Sequence, residues 1–205
     1  MKPKVDYSLY LVTDSKICKS LPEAVQKAIL GGVSIVQLRE KSACTRDFYN
    51  TAVKIKEICS AACVPLIIND RIDIALACDA CGVHVGQGDM DAVTARRLLG
   101  CNKIIGVSVS TLKEAQQAQK DGADYIGLGA MFPTATKDDA PVCSKHELLR
   151  ITQNIKIPAV LIGGMNKNTI PQFAGCGQAG YAVVSAILAA DDPQKAAAEL
   201  RCLPL

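Results

Sequence analysis

The chain has few aromatic residues and no tryptophan. Its 205 residues include only three Phe and five Tyr. Proteins that bind single-stranded nucleic acid usually stack the bases on aromatic side chains, so this composition disfavours that function. The 23 Lys and Arg residues exceed the 20 Asp and Glu residues by three, and the positive charges are scattered rather than gathered into a tract. We therefore expect small charged ligands as partners, and no nucleic acid.

Long apolar runs are also missing. The longest nearly apolar stretch, residues 181–190, contains Ser185 and has about half the length that a helix needs to cross a bilayer. The segment between Asp6 and Asp14 is too short for the apolar part of a signal peptide. We expect no membrane association and a cytoplasmic location.

Histidine is scarce, and two common catalytic patterns are absent. His84 falls within a predicted strand, where a hydrogen-bonded core residue is expected, and His146 is expected on a helix surface. No set of Ser, His and acidic residues suggests a catalytic triad, and no GxGxxG motif follows the first predicted strand. The sequence therefore indicates neither a triad hydrolase nor a dinucleotide-dependent enzyme.

Cysteine, in contrast, is plentiful. The ten cysteines make up about 5% of the chain, which is below the level of a disulfide scaffold. In a cytoplasmic protein we expect them to be mostly buried free thiols. As an alternative, Cys59 and Cys63 at the end of one predicted helix and Cys78 and Cys81 at the end of the next could together bind Zn²⁺.

Short β-branched runs alternate with segments of helical periodicity along the whole chain. The predicted strands are Ser8–Thr13, Ile35–Arg39, Leu66–Ile68, Val83–Val85, Lys103–Val107, Tyr125–Leu128, Ala159–Ile162 and Ala182–Val184. The predicted helices are Leu21–Leu30, Thr45–Ala62, Ile72–Cys78, Ala92–Leu99, Leu112–Lys120, Ser144–Gln153, Asn168–Ala174 and Asp192–Arg201.

This alternation predicts parallel strands in an α/β fold. Eight units of roughly 26 residues match a compact (β/α)₈ TIM barrel with short loops. No linker divides the chain, so we expect a single catalytic domain over residues 1–205; a doubly wound open sheet is the alternative fold. In a barrel, reactive residues lie at the carboxyl ends of the strands, which form the mouth.

The second predicted strand carries a polar row. Strand alternation places Gln37, Arg39 and Lys41 on one face and the apolar Val36 and Leu38 on the other. Buried Gln, Arg and Lys side chains are costly unless they meet a polar or anionic ligand. Arg and Lys suit phosphate oxygens, and the Gln amide suits the edge of an aminopyrimidine. The alternative is an internal salt bridge to an acid at another strand end.

Carboxylates follow the next two strands. Asn69 and Asp70 come directly after the third strand, and Asp89 follows the fourth. Neighbouring strands lie about 4.8 Å apart, so both carboxylates can reach one cation, and this donor set suits Mg²⁺. Alternatively, Asn69 or Asp70 caps the following helix and Asp89 serves a turn.

Three further loops contain groups that can bind phosphate. The loop after the sixth strand offers Thr134, Thr136 and Lys137, although a plain surface loop is the alternative interpretation. Gly163 and Gly164 follow the seventh strand, and Val184 and Ser185 close the eighth into a helix start. Barrels often bind phosphate on backbone N–H groups of these last two loops.

These segments, in this order, resemble the thiamine-phosphate synthase family over nearly the whole chain. The resemblance rests on Leu9–Asp14, Val36–Lys41, Ile68–Arg71, Gly82–Gln87, Gly106–Ser108, Phe132–Lys137, Ile162–Gly164 and Val184–Ile187. It implies an enzyme that joins 4-amino-2-methyl-5-hydroxymethylpyrimidine diphosphate to a thiazole phosphate, expected in its carboxylated form, and releases pyrophosphate. It also implies Mg²⁺ as cofactor, and a homo-oligomer is compatible with it.

The resemblance also implies roles for single residues. Gln37, Arg39, Lys41 and Asn69 would bind the pyrimidine diphosphate, and Asp70 and Asp89 the Mg²⁺. Thr134, Thr136, Gly164, Val184 and Ser185 would bind the thiazole phosphate. Lys137, Ser108 and Arg39 would be catalytic, with Lys137 on the pyrophosphate and Ser108 beside the pyrimidine.

Ser110 and, more mildly, Tyr181, where the family favours a small aliphatic residue, depart from the family pattern, and two other functions compete. The family often has His two residues after Ser108, where this chain has Ser110. A related thiazole tautomerase would not need the diphosphate and metal residues present here. A regulator that binds thiamine phosphates without turnover is the second alternative.

Overall fold

The computed structural model describes residues 4–133 and 142–205. Eight parallel strands pair in chain order, and β1 also pairs with β8, so the sheet closes into a barrel. The strands are β1 (Leu9–Val12), β2 (Ile35–Leu38), β3 (Leu66–Asn69), β4 (Gly82–Val85), β5 (Ile104–Val109), β6 (Tyr125–Leu128), β7 (Ala159–Ile162) and β8 (Gly180–Val183). The predicted TIM barrel is confirmed, and the open sheet is excluded.

Helices surround the barrel. They are α1 (Leu21–Leu30), α2 (Thr45–Ala61), α3 (Ile72–Ala77), α4 (Ala92–Leu99), α5 (Leu112–Lys120), α6 (Lys145–Asn154), α7 (Ser185–Leu188) and α8 (Pro193–Arg201). Within the described part of the chain, no helix is long and apolar enough to cross a membrane.

Capping residues define several helix starts. The Asp91 side chain accepts a hydrogen bond from the backbone N–H of Thr94 at the start of α4. Thr111 and Glu114 form a reciprocal capping box on α5. Such side chains satisfy backbone N–H groups that have no partner within the helix, and they thereby fix where each helix leaves the strand end before it.

The predicted helix over Asn168–Ala174 is wrong. The structure has a short 3-10 helix, Ile170–Phe173, at this place. Pro171 cannot donate a backbone hydrogen bond, and the side chains of Asn166 and Thr169 bind backbone groups that a longer helix would use. The helix start expected at Ser185 after the eighth strand is confirmed as the short α7, which precedes α8.

The apolar core has two layers. The larger layer lies between the strands and the helices and contains the outward-facing residues of the sheet, including Val36 and Leu38. The smaller layer fills the barrel and is built from Tyr7, Tyr10, Val12, Ile35, Ile67, Ile104, Tyr125, Val160 and Ala182. The barrel interior is therefore packed with side chains rather than hollow.

The cysteines differ from the expectation that most are buried. All ten are free thiols, but only Cys59, Cys78, Cys143 and Cys176 are buried, and four are exposed. Among the residues that the structure describes, no group of three or more His, Cys, Asp or Glu side chains could hold a metal ion. The zinc alternative at Cys59, Cys63, Cys78 and Cys81 is therefore wrong.

Candidate active site at the barrel mouth

One cavity of about 1010 Å³ collects the predicted site residues. Ten of them line it, from six different segments of the chain: Gln37, Arg39, Lys41, Asn69, Asp70, Asp89, Ser108, Gly164, Val184 and Ser185. The other three, Thr134, Thr136 and Lys137, lie outside the described residues. The structure thus brings together every predicted site residue that it describes.

The polar row on β2 runs up the wall of this cavity. Gln37 is only 4% exposed, and its Nε2 donates a hydrogen bond of 2.9 Å to the hydroxyl of Tyr10. The backbone N–H of Arg39 donates a 3.0 Å hydrogen bond to Thr13 Oγ1. This bond extends the contact between β1 and β2 by one residue past the end of each strand. Lys41 reaches the acidic side of the cavity and forms an ion pair with Asp70. For Lys41, the expected alternative of a salt bridge to another strand-end acid is therefore confirmed.

Asp70 and Asp89 lie side by side, as their strand-end positions predict. Asp70 is half-buried, and this burial raises the pKa of its carboxyl group. The Lys41 ammonium opposes the rise in pKa, and the neighbouring Asp89 carboxyl adds to it. Asp70 does not cap α3, because no side-chain cap is present there. Asp89 does serve a turn, since its Oδ2 accepts a 2.8 Å hydrogen bond from the backbone N–H of Gly86.

This acidic pair fits a magnesium ion. Mg²⁺ is commonly held by one or two carboxylates together with water and substrate phosphate, so it does not require a third protein ligand. Two carboxylates in contact repel each other unless a cation or a proton lies between them. Burial is the main cause of the raised pKa of Asp70, the neighbouring Asp89 carboxyl adds to it, and Lys41 supplies a cation at the Asp70 carboxylate.

A chain of hydrogen bonds crosses the barrel beneath the cavity. It begins with the bond from Gln37 to Tyr10 and continues through the hydroxyls of Tyr10 and Tyr125, which are 2.7 Å apart. The Tyr125 hydroxyl lies 2.9 Å from His84 Nδ1, and His84 Nε2 lies 2.9 Å from Ser108 Oγ. Burial raises the pKa of both tyrosines above the ordinary value, so both hydroxyls stay protonated at neutral pH. His84 is hydrogen-bonded and 8% exposed, as expected of a core residue, and it also lines the cavity.

Two glycines make room for this chain. A Cβ atom on Gly106 would lie 2.1 Å from Tyr125 Cζ and 2.4 Å from His84 Nδ1. A Cβ atom on Gly127 would lie 2.9 Å from His84 Cε1. All three distances are shorter than the contacts that real Cβ atoms make, so these two inward-facing strand positions must be glycine for the rings to occupy the barrel axis.

Ser110, at the position where the family often has His, connects two strand ends. Its Oγ donates a 3.0 Å hydrogen bond to the carbonyl oxygen of Gly129 after β6. Its backbone N–H is bound by the carboxylate of Glu114 at 2.6 Å. Ser110 therefore fixes the loop after β5 beside the start of the loop that carries Thr134, Thr136 and Lys137.

The glycines after β7 form the opposite side of the mouth. Gly163 and Gly164 have positive φ angles of 96° and 69°, which glycine adopts without strain. The carbonyl oxygen of Gly164 accepts hydrogen bonds from Asn166 Nδ2 at 3.0 Å and from Thr169 Oγ1 at 2.8 Å. Val184 and Ser185 stand nearby where β8 turns into α7, and all four residues line the cavity.

Tyr10 and Tyr125 also line the cavity, although no sequence motif marks them as site residues. Each has an inward-facing position on its strand: Tyr10 lies two residues before Val12, and Tyr125 two residues before Gly127, and Val12 and Gly127 also line the cavity. Strand alternation alone could have placed them in the barrel interior. It could not have shown that they share hydrogen bonds, because they come from β1 and β6.

Fold and site together define a class of protein. Charged and hydrogen-bonding side chains from several strand ends converge on one cavity at the carboxyl-end mouth of an eight-stranded parallel barrel. This is the arrangement of (β/α)₈ barrel enzymes.

Comparisons with known proteins then give the family. The family model described as thiamine monophosphate synthase matches residues 9–187. The thiamine-phosphate synthase of Clostridium beijerinckii is 54% identical over 203 residues, which cover 98% of this chain and 97% of that protein. A thiamine-phosphate synthase of Methanobrevibacter smithii is 53% identical over 197 residues, covering 96% and 94%. The chain belongs to the thiamine monophosphate synthase family and is a transferase.

A solved structure agrees with this assignment. The thiamine phosphate pyrophosphorylase of Pyrococcus furiosus superposes with a TM-score of 0.89 at 40% sequence identity, over 96% of this chain and 94% of that one.

Proposed function

We propose that this enzyme joins 4-amino-2-methyl-5-hydroxymethylpyrimidine diphosphate to a thiazole phosphate, in its carboxylated form, and releases thiamine phosphate, pyrophosphate and, from the carboxyl group of the thiazole, carbon dioxide. The observation that carries the proposal is the convergence of ten predicted site residues on one cavity. In the proposal, a single domain over residues 1–205 carries the activity. The cytoplasmic location and assembly into a homo-oligomer stay predictions.

The diphosphate would be bound on the side of the cavity formed by β2, β3 and β4. Arg39 provides a planar fork for phosphate oxygens and Lys41 a mobile positive charge. Lys137, which lies outside the described residues, would add a further positive charge. Asp70 and Asp89 would hold Mg²⁺ beside these cations. When bound there, the metal supplies electrostatic stabilisation of the negative charge on the departing pyrophosphate. The cationic side chains contribute the same kind of stabilisation.

The two reacting molecules would lie between this side and the glycine loops. Gln37, Asn69 and Ser108 would hold the pyrimidine, and Thr134, Thr136, Gly164, Val184 and Ser185 the phosphate of the thiazole. The bond between the pyrimidine methylene and the diphosphate oxygen breaks, and the thiazole nitrogen forms a new bond to that carbon. The electron-rich aminopyrimidine can carry the positive charge that develops, so no strong general base is needed, and correct positioning provides much of the acceleration.

The test is pyrophosphate release from the purified protein with both substrates present, first with Mg²⁺ and then with EDTA. We expect release that requires both substrates and Mg²⁺, with thiamine phosphate formed in equal amount. Thiamine phosphate binding without pyrophosphate release would instead support a regulator. Isomerisation of the thiazole without use of the diphosphate would support the tautomerase function. Either result from folded protein would contradict the proposal.

A further inference from the structure

With Gln37 Nε2 as the donor to Tyr10 and His84 neutral, the hydrogen-bond chain from Gln37 to Ser108 has one self-consistent direction. Tyr10 is 1% exposed, and its oxygen already accepts a hydrogen from Gln37 Nε2. A buried hydroxyl hydrogen needs an acceptor, and the Tyr125 oxygen lies 2.7 Å away. Tyr10 therefore donates to Tyr125.

The remaining links follow from this first one. Tyr125 accepts from Tyr10 and in turn donates to His84 Nδ1 at 2.9 Å. A neutral imidazole that accepts at one ring nitrogen carries its hydrogen on the other, so His84 Nε2 donates to Ser108 Oγ at 2.9 Å. In the reverse direction, Tyr125 would donate to Tyr10, which already accepts from Gln37. The Tyr10 hydrogen could then no longer bind the Tyr125 oxygen.

We propose that Tyr10, Tyr125 and His84 are positioning residues, which hold Gln37 as a hydrogen-bond acceptor and Ser108 as a donor toward the cavity. Because Gln37 Nε2 is engaged by Tyr10, its Oε1 is the end of the amide presented to a ligand. Because Ser108 Oγ accepts a hydrogen bond from His84, its own hydrogen does not point to His84. Ser108 lines the cavity, so this hydrogen is available to a ligand there. The acceptor and the donor lie on β2 and β5, with two strands between them.

This pattern selects a class of ligand, and here the inference rests on the proposed function. An aminopyrimidine offers an N–H donor on its exocyclic amino group and a lone pair on a ring nitrogen, which complement Gln37 Oε1 and the Ser108 hydroxyl. The corresponding 4-oxo pyrimidine presents a carbonyl oxygen where the amino group was. That oxygen would face another acceptor, and sites built on buried hydrogen bonds discriminate strongly against such a mismatch.

The direction of the chain can be measured without substrate. Long-range ¹H–¹⁵N spectra of the labelled protein at neutral pH distinguish the two tautomers of a neutral imidazole. The chain has only two histidines, so a His146→Gln variant assigns the signals. We expect His84 to carry its hydrogen on Nε2. A hydrogen on Nδ1 in the wild-type protein would overturn the proposal, whether or not any variant folds.

The consequence for ligand choice is tested by calorimetry with two unreactive probes, the 4-amino and 4-oxo forms of 2-methyl-5-hydroxymethylpyrimidine monophosphate. We expect wild-type protein to favour the amino form, and Tyr125→Phe to reduce the ratio of the two Kd values at least about tenfold. The control is Tyr7→Phe, because the Tyr7 ring packs on Tyr125 at 4.8 Å while its hydroxyl is not a member of the chain.

The outcomes separate two kinds of failure. If wild-type protein binds neither probe, the proposed function fails, and the tautomer measurement still decides the direction of the chain. If wild-type protein binds the amino form and Tyr125→Phe keeps the full preference, the positioning role is wrong. An equal loss of preference in Tyr7→Phe would also contradict it, since that variant removes a hydroxyl that is not a member of the chain and keeps the ring that packs on Tyr125.

Discussion

At the scale of single residues, Asp70 combines three unusual properties. It has a positive φ of 61°, which is costly for a residue with a side chain. It is half-buried, and its carboxylate lies between a lysine and a second carboxylate. Backbone strain and a buried charge in one residue are typical of functional sites, where the surrounding structure enforces a geometry that the chemistry needs.

We predict that Asp70→Ala lowers kcat by at least about 100-fold, because the substitution removes a group that organises positive charge around the departing pyrophosphate. Pyrophosphate release under saturating substrate measures the effect. The control is Asp73→Ala: Asp73 is paired with Arg71 on the exposed side of α3, and its loss should leave turnover close to normal. Similar rates for the wild type and Asp70→Ala would remove Asp70 from the proposed mechanism.

The cysteines allow a second prediction at this scale. Burial raises the pKa of the Cys59 thiol to about 12 and that of Cys143 to about 11, so neither forms a thiolate at neutral pH. Cys44, Cys63, Cys101 and Cys202 are exposed. Brief treatment of the native protein with iodoacetamide should label the exposed four first, and Cys59 and Cys143 only after unfolding. Peptide mass spectrometry gives the order, and early labelling of Cys59 would contradict the packing described here.

At the scale of elements, β5 shows how a residue without a side chain allows the neighbouring strands to place large rings in the barrel interior. Gly106 lies opposite Tyr125 on β6 and opposite His84 on β4 in the strand register. Its missing side chain leaves the space in which the two rings meet. The strand therefore contributes both an empty position and, two residues later, the hydroxyl of Ser108.

We predict that Gly106→Ala destabilises the protein by about 1–3 kcal/mol, because overpacking forces both rings off their positions. Denaturant unfolding measures the change. Gly88→Ala is the matched control, since a Cβ atom there meets nothing within 4 Å and the cost should be within about 0.5 kcal/mol. Equal stabilities of the two variants would show that the rings can move aside.

Strands and helices differed in how well the sequence predicted them. The predicted ends of all eight strands lie within two residues of the observed ends. Each strand is a short apolar run, and its length and composition distinguish it from the amphipathic helical segments. The segment around Pro171 was predicted as a helix because its apolar spacing is helical. The spacing of apolar residues carries no information about the side chains of Asn166 and Thr169, which bind nearby backbone groups. This local hydrogen bonding shortens the predicted helix to the 3-10 helix Ile170–Phe173.

At the scale of the whole molecule, closure of the barrel explains which parts of the site were predictable. Residues such as Asp70 and Asp89 follow consecutive strands, so the order of the chain already places them together. The links between Tyr10 and Tyr125 and between Gln37 and Tyr10 depend on how the barrel closes and on which rings fill its axis. That information lies in packing between distant segments, and no local pattern contains it.

Closure also joins the two ends of the chain. Arg201 at the end of α8 forms an ion pair with Asp6 at 2.7 Å and a hydrogen bond with Ser8, next to β1. Partial burial acts to raise the pKa of Asp6, but hydrogen bonds from Ser8 and Arg201 outweigh it, so the pKa lies below its usual value of 3.8.

We predict that this contact stabilises the protein only where Asp6 is ionised. A lowered pKa in the folded state means that the contribution is complete above pH 3.8 and is lost as the pH falls through the folded-state pKa. Asp6→Asn should therefore have a lower Tm than wild type at pH 6, by an amount equivalent to no more than about 1 kcal/mol for so exposed a pair. The difference should shrink in more acidic buffer. A constant difference across this pH range would show that charge is not its origin.

The tyrosines in the barrel interior give the protein an optical property of practical use. Because the chain contains no tryptophan, its ultraviolet emission comes from five tyrosines, and three of them, Tyr7, Tyr10 and Tyr125, lie in the barrel interior. Two of these three also line the cavity. A ligand that enters the mouth changes the surroundings of these chromophores directly, so its binding can be followed by intrinsic fluorescence without a label.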